Sequence, residues 1–131
     1  MDNKIKLVIF GIATWAVPFV ASILFFDSQT HKLLIDQGLF HSIMIVLGSS
    51  FAAFLLVKYF EGVRKDFVRE GIKVGMAWLL INWALDVAIL IPMMNVDIPS
   101  YFMQIGLGYL VAPAMSISMA VAIENARKKI N

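Results

Sequence analysis

The chain has 131 residues, 60% of them hydrophobic, with a mean hydropathy of +0.82, a formal charge of +2 and no cysteine. A soluble domain is about half apolar or a little less, so lipid is part of this chain's solvent, and the length suits one domain. The absence of cysteine excludes disulfides, thiolate nucleophiles and Cys-ligated metals.

A spanning helix needs about 20 mostly apolar residues. Four stretches supply them, residues 5–26, 39–60, 73–94 and 101–123. In lipid every backbone polar group must be bonded within its own segment, so an all-α polytopic membrane protein is expected. The short connections 27–38, 61–72 and 95–100 make it an antiparallel four-helix bundle. The first stretch follows Lys4 and Lys6 as a signal peptide would. Its apolar run is too long for that and no small-x-small cleavage site follows, so it reads as a retained helix.

Basic residues set the orientation. Lys4, Lys6, Lys58, Arg64, Lys65, Arg69, Lys73, Arg127, Lys128 and Lys129 fall on one side, and of the Lys and Arg residues only Lys32 falls on the other. The positive-inside rule places both termini and the middle connection in the cytoplasm. Tyr59 and Tyr101 fit interfacial anchors, while Trp15, Trp78 and Trp83 sit deeper. The middle connection reads as a solvated charged turn that can lengthen either neighbouring helix, with Glu61 and Lys65 at helical-pair spacing. Its cations also suit anionic headgroups, at about 1 kcal/mol each.

The third stretch holds the residue that looks out of place. In WLLINWALDVAILIP, Asn82 and Asp86 lie four apart and share a helix face. With the helix starting at Lys73, Asp86 sits roughly 20 Å from the cytoplasmic end, somewhat past the midplane. A charge there costs at least ~2.5–3.5 kcal/mol, so the stripe Trp78, Asn82, Asp86 and Ile89 or Leu90 must face inward. Two accounts stay open. In one, Asp86 is structural glue, taking hydrogen bonds from Asn82 and from Thr14, Tyr109 or Ser116 of other helices. In the other, Asp86 takes up and releases a proton or holds a cation.

Pro18 and Pro113 fall near the same level, and each frees a carbonyl one turn earlier, at Thr14 and Tyr109. Two kinked helices beside a carboxylate would shape a cavity, as broken helices do in transporters. Pro92 terminates its helix. Small residues recur at four-residue spacing: Gly48 with Ala52, Ser49 with Ala53, then Ala112, Ser116 and Ala120, and on a second face Ala114, Ser118 and Ala122. Such faces let helix backbones approach closely, and two of them on one helix point to a homo-oligomer. His31 and His41 with Asp27 or Asp36 are a poor metal set, so no metal and no cofactor are expected. Gly106-x-Gly108 lacks the context of a nucleotide loop and reads as a flexible or close-packed point. Short echoes, Trp15-Ala-Val-Pro18 with Trp83-Ala-Leu-Asp86 and Glu61-Gly-Val-Arg-Lys65 with Glu124-Asn-Ala-Arg-Lys128, hint at a parallel repeat of two hairpins. No catalytic set converges, and no basic face for nucleic acid exists beyond the orienting charges.

The segments GIATWAVPFVASILFF, WLLINWALDVAILIPM and YFMQIGLGYLVAPA resemble those of small, uncharacterised four-helix membrane proteins of prokaryotes. That resemblance implies no activity and carries over no functional residue. Length and helix count are also similar to small multidrug transporters and fluoride channels. The first helix here lacks the carboxylate of the former, and the fluoride-channel motif is absent. The expectation is a small integral membrane transporter or channel-like protein. It would be linked through Asp86 and Asn82 to a proton, a cation or a small-molecule substrate, with the lipid bilayer and a second copy as partners. The alternative is a non-transporting assembly or lipid-organising protein, and a lipid-modifying enzyme ranks below both.

Overall fold

A computed structural model describes residues 3–95 and 97–130. The elements are α1 (Asn3–Ile23), α2 (Gln37–Phe60), α3 (Phe67–Leu85), a π turn (Asp86–Leu90), α4 (Ile91–Met94), α5 (Ile98–Gln104), a 3-10 segment (Gly106–Leu110) and α6 (Val111–Ile130). Among the described residues the only extended pairing is one bridge between Phe26 and Leu33 in the loop after α1. Four helical stretches are long and apolar enough to cross a membrane: Asn3–Ile23, Gln37–Phe60, Phe67–Met93 and Gly106–Ile130.

Two boundaries differ from the expectation in ways that matter. The third helix begins at Phe67, not Lys73. Phe67 is buried beneath Arg127, whose guanidinium lies 5.2 Å from its ring centre, and Gly71 is needed against α6, so packing recruits these residues into the helix. Asp66 starts the helix from the left-handed region, φ 55°, which aspartate tolerates. The fourth stretch is not one helix. It breaks at Ile105 (φ −128°, ψ −51°) and passes through a 3-10 turn around Gly106 and Gly108. Glycine costs about 1 kcal/mol in a helix interior, so a pair of them makes this break cheap.

α1 packs on α2 and α3, and α6 packs on α3 and α2. The α3–α6 seam rests on Gly71 and Gly75. A Cβ on Gly71 would meet the Ala120 Cβ at 2.6 Å and the Ser116 carbonyl at 2.9 Å. One on Gly75 would meet the Pro113 Cα at 2.6 Å. Ser116 and Ala120 are fully buried there, and Ser116 Oγ donates to the Gly71 carbonyl at 2.6 Å. The Ala112–Ser116–Ala120 face is therefore consumed within the chain. Gly48 and Ala52 likewise lie inside: the nearest neighbour to a Gly48 Cβ would be Pro18 of α1 at 3.9 Å, and Ala52 is buried. Ala114, Ser118 and Ala122 stay exposed. Outward-facing apolar residues such as Val20, Val46, Phe54 and Leu80 form the exterior of the long helices.

Lys6 Nζ donates to the Lys58 carbonyl at 2.7 Å, and an Arg127 guanidinium N–H to the Arg64 carbonyl at 2.7 Å. The start of α1, the end of α2 and the end of α6 thus share one end of the molecule, the terminal end. Tyr59 is buried at that end, and its hydroxyl donates to Glu70 at 2.8 Å. Tyr101 is buried at the other. Neither stands in the exposed position of an interfacial anchor, because each hydroxyl has a carboxylate inside the fold.

Candidate functional site

The seam between α1 and α3 is built by polar contacts that climb both helices in step. Trp78 Nε1 donates to the Leu7 carbonyl at 2.9 Å, Asn82 Nδ2 to Thr14 Oγ1 at 3.0 Å, and Trp15 Nε1 to Asp86 Oδ1 at 2.5 Å. Gly11 permits this closeness, since a Cβ there would sit 2.7 Å from Ile81 and 2.9 Å from Trp78.

Asp86 has no exposed surface. It follows the 19 residues of α3, so it stands roughly 29 Å along that helix and about 10 Å from Met93, where the apolar stretch ends. Asp86 stands farther from the start of its helix than a start at Lys73 would place it, because α3 begins at Phe67. Trp15 holds Oδ1, and the Tyr101 hydroxyl donates to Oδ2 at 2.5 Å. Tyr109 faces the same carboxylate from the 3-10 segment. Asp86 thus ties α1 and the broken fourth stretch to α3. The backbone at this point is a π turn, in which the Ile91 N–H reaches back to the Asp86 carbonyl. The turn adjoins Pro92, which lacks an N–H and disturbs the regular ladder. Beyond it the stripe continues at Leu90, which is half-buried, and not at Ile89, which is 42% exposed.

The donors around Asp86 are neutral. The ion pairs found among the described residues, Lys58 with Glu61 and Lys73 with Glu70, lie toward the terminal end. Hydrogen bonds to a charged group contribute about 1.5–3 kcal/mol each. An indole N–H donates only, so Trp15 fixes Oδ1 as an acceptor in every state. A phenol hydroxyl donates or accepts. If Oδ2 gains a proton, Tyr101 can turn and accept it without the contact being lost.

Asn82 does not bond to Asp86, contrary to expectation. Its amide donates to Thr14 Oγ1 and to the Trp78 carbonyl at 2.8 Å. A carbonyl oxygen accepts only, and the Thr14 hydroxyl is already directed to the Gly11 carbonyl at 2.5 Å. These partners fix which amide atom is nitrogen. Asn82 Oδ1 is left buried without a protein partner, a deficit of about 1–3 kcal/mol unless something else donates to it. Thr14 bonds Gly11 and Asn82 in the α1–α3 seam and Ser116 bonds Gly71 in the α3–α6 seam, so neither is a partner of Asp86.

The prolines do not flank the carboxylate as a matched pair. Pro18 faces α2 at Gly48. Pro113 is the third residue of α6, in the turn where a missing N–H costs little, and it packs on Gly75. The freed Tyr109 carbonyl belongs to the 3-10 segment. Gly106 is close-packed: a Cβ would meet Phe102 at 2.6 Å, and its carbonyl accepts from Trp83 Nε1 at 2.8 Å. Among the described residues no three His, Cys, Asp or Glu side chains gather as metal ligands, and His31 is an exposed loop residue at φ 59°.

Trp15 and Tyr101 were the site residues least visible in the sequence. A donor-only indole next to Thr14 was the available signal for Trp15. Tyr101 gave none, since its route to Asp86 depends on the helix break. No protein-family model, curated protein or solved structure matches the chain, so the geometry alone carries the functional argument.

Proposed function

We propose that this chain is a small proton- or cation-linked transporter or channel-like protein of the membrane, with Asp86 as its ion-responsive group. The observation that carries the reading is a fully buried carboxylate held by neutral donors, where a π turn meets a broken helix. An isolated carboxylate in lipid is expensive, and ionisable groups at such depth mark ion pathways by default. The reversible Tyr101 hydroxyl supports the proton version, because it matches both states of Oδ2. The four spans form an antiparallel bundle with both termini in the cytoplasm, which the single-sided cations support. Asp86 then sits in the outer part of the membrane. A second copy packs on the exposed Ala114, Ser118 and Ala122 face of α6.

The contacts that support this reading also favour the structural alternative, since each Asp86 oxygen already has a partner. Asp86→Asn separates the two. Asparagine keeps an acceptor for Trp15 and offers an N–H to the Tyr101 oxygen, so the clasp survives while proton exchange is abolished. In proteoliposomes loaded with a pH-sensitive dye, transport predicts a folded Asp86→Asn protein without pH-dependent flux. Flux identical to that of the unaltered protein, or no flux in either, would leave Asp86 as a structural clasp.

A further inference from the structure

Asn82 Oδ1 is the one described buried side-chain polar atom without a hydrogen-bond partner, and it lies one helical turn from Asp86 on the same face. The amide's orientation is fixed by two acceptors, Thr14 Oγ1 and the Trp78 carbonyl. The two heteroatoms of a planar amide point apart, so Oδ1 faces away from those partners. A buried acceptor in a polar setting takes an ordered water when protein donors are lacking.

We infer that Asn82 Oδ1 seats an internal water, and that this water is the inward connection through which Asp86 exchanges its proton. The inference about exchange rests on the ion-linked reading above; the inference about the water does not. Tyr101 and Tyr109 are the titratable groups that face Asp86, and both come from the fourth stretch: Tyr101 from the outer end, and Tyr109 from the segment between Gly106 and Pro113, which packs along α3 on the inner side at Trp83 and Gly75. α1 contributes Trp15, which does not titrate, and Thr14. On the inner side, Asn82 is the next polar side chain along the seam. The water passes one of its protons to the Asp86 carboxylate and takes one up from the inner side, so it is unchanged after each transfer.

Two measurements test this. In nanodiscs, NMR of the unaltered protein should give a cross-peak between the Asn82 side-chain amide protons and a bound water; a dry Asn82 amide overturns the proposal. In proteoliposomes, deuteration of the lumen facing the terminal end should exchange the Asp86 carboxyl, followed by its infrared band. A positioned group or a single water contributes about 10²–10⁴-fold to a proton transfer. Asn82→Leu should therefore slow that exchange roughly 100-fold or more, and Asn82→Ser, which keeps an acceptor and room for water, should restore most of it. Exchange in Asn82→Leu at the original rate overturns the inward route while leaving the ion-linked reading intact. A bound water beside an Asp86 that never exchanges supports the water site and defeats the ion-linked reading instead.

Discussion

Tyr101→Phe removes one oxygen from a side chain that is 1% exposed. The ring contacts persist, including the edge-on packing with Phe102 at 5.0 Å between centroids. What disappears is the donor to Asp86 Oδ2, at a carboxylate with no exposed surface. A hydrogen bond to a charged group contributes about 1.5–3 kcal/mol, and leaving its buried acceptor unpaired places the loss at the upper part of that range. The expected cost is thus about 2–3 kcal/mol, partly relieved if Tyr109 moves onto Oδ2. Reversible unfolding in mixed micelles measures it. Amide exchange over Ile98–Gln104 should rise in parallel, because Tyr101 is the residue of α5 that reaches Asp86. The double variant with Asp86→Leu sharpens the test: once the acceptor is gone, loss of the hydroxyl should cost little, giving a coupling of about 1–3 kcal/mol. A cost below about 0.5 kcal/mol for Tyr101→Phe, or strict additivity in the double variant, would refute the reasoning.

Gly75→Ala should destabilise by about 1–3 kcal/mol through overpacking, since its Cβ would lie 2.6 Å from Pro113 backbone, and thermal unfolding in detergent reads this directly. Trp78→Phe should cost about 1 kcal/mol for the lost bond to the Leu7 carbonyl, beyond any packing change, measured in the same assay. In the loop after α1, backbone N–H groups of Gln29 and Thr30 bond the Asp27 carboxyl and, with the charge of His31 nearby, hold it below the usual carboxylate range. A depressed carboxyl stabilises the fold above its unfolded value of about 3.9 and loses that contribution as pH falls through its folded value. Exchange at the Gln29 and Thr30 amides, corrected for intrinsic rates, should therefore become less protected only on strong acidification, and Asp27→Asn should flatten that dependence.

The four long apolar helices were legible because about 20 consecutive apolar residues admit little but a helix in lipid. Asp86 stood out for the same reason, as a costly residue in an apolar run. The start of α3 is hidden because its first turns carry charge and resemble a loop: Arg69 and Lys73 lie on exposed positions of α3, and Phe67, Gly71 and Val74 bury the opposite side. The Gly71–Gly75 seam is hidden in the sequence for that reason, whereas Ser116 and Ala120, the small residues it receives, stand out by their four-residue spacing. Tyr101 looked interfacial from its place at the head of an apolar stretch. The break at Ile105 turns it inward, and no local propensity announces where a side chain lands after such a break. Asn82 was correctly assigned to the inward face and wrongly to Asp86, because helical spacing identifies neighbours on one helix but not a nearer hydroxyl on another.

The central claim is that Asp86 exchanges a proton within the membrane. Infrared difference spectroscopy of its carboxyl band in lipid, with Asp86→Asn as the blank, tests that most directly. A protonated-carboxyl band that grows in acid and vanishes in alkali, and that Tyr101→Phe displaces, is the predicted result. A band, or an absence of one, that no change of pH alters would show a sealed carboxyl and contradict the account.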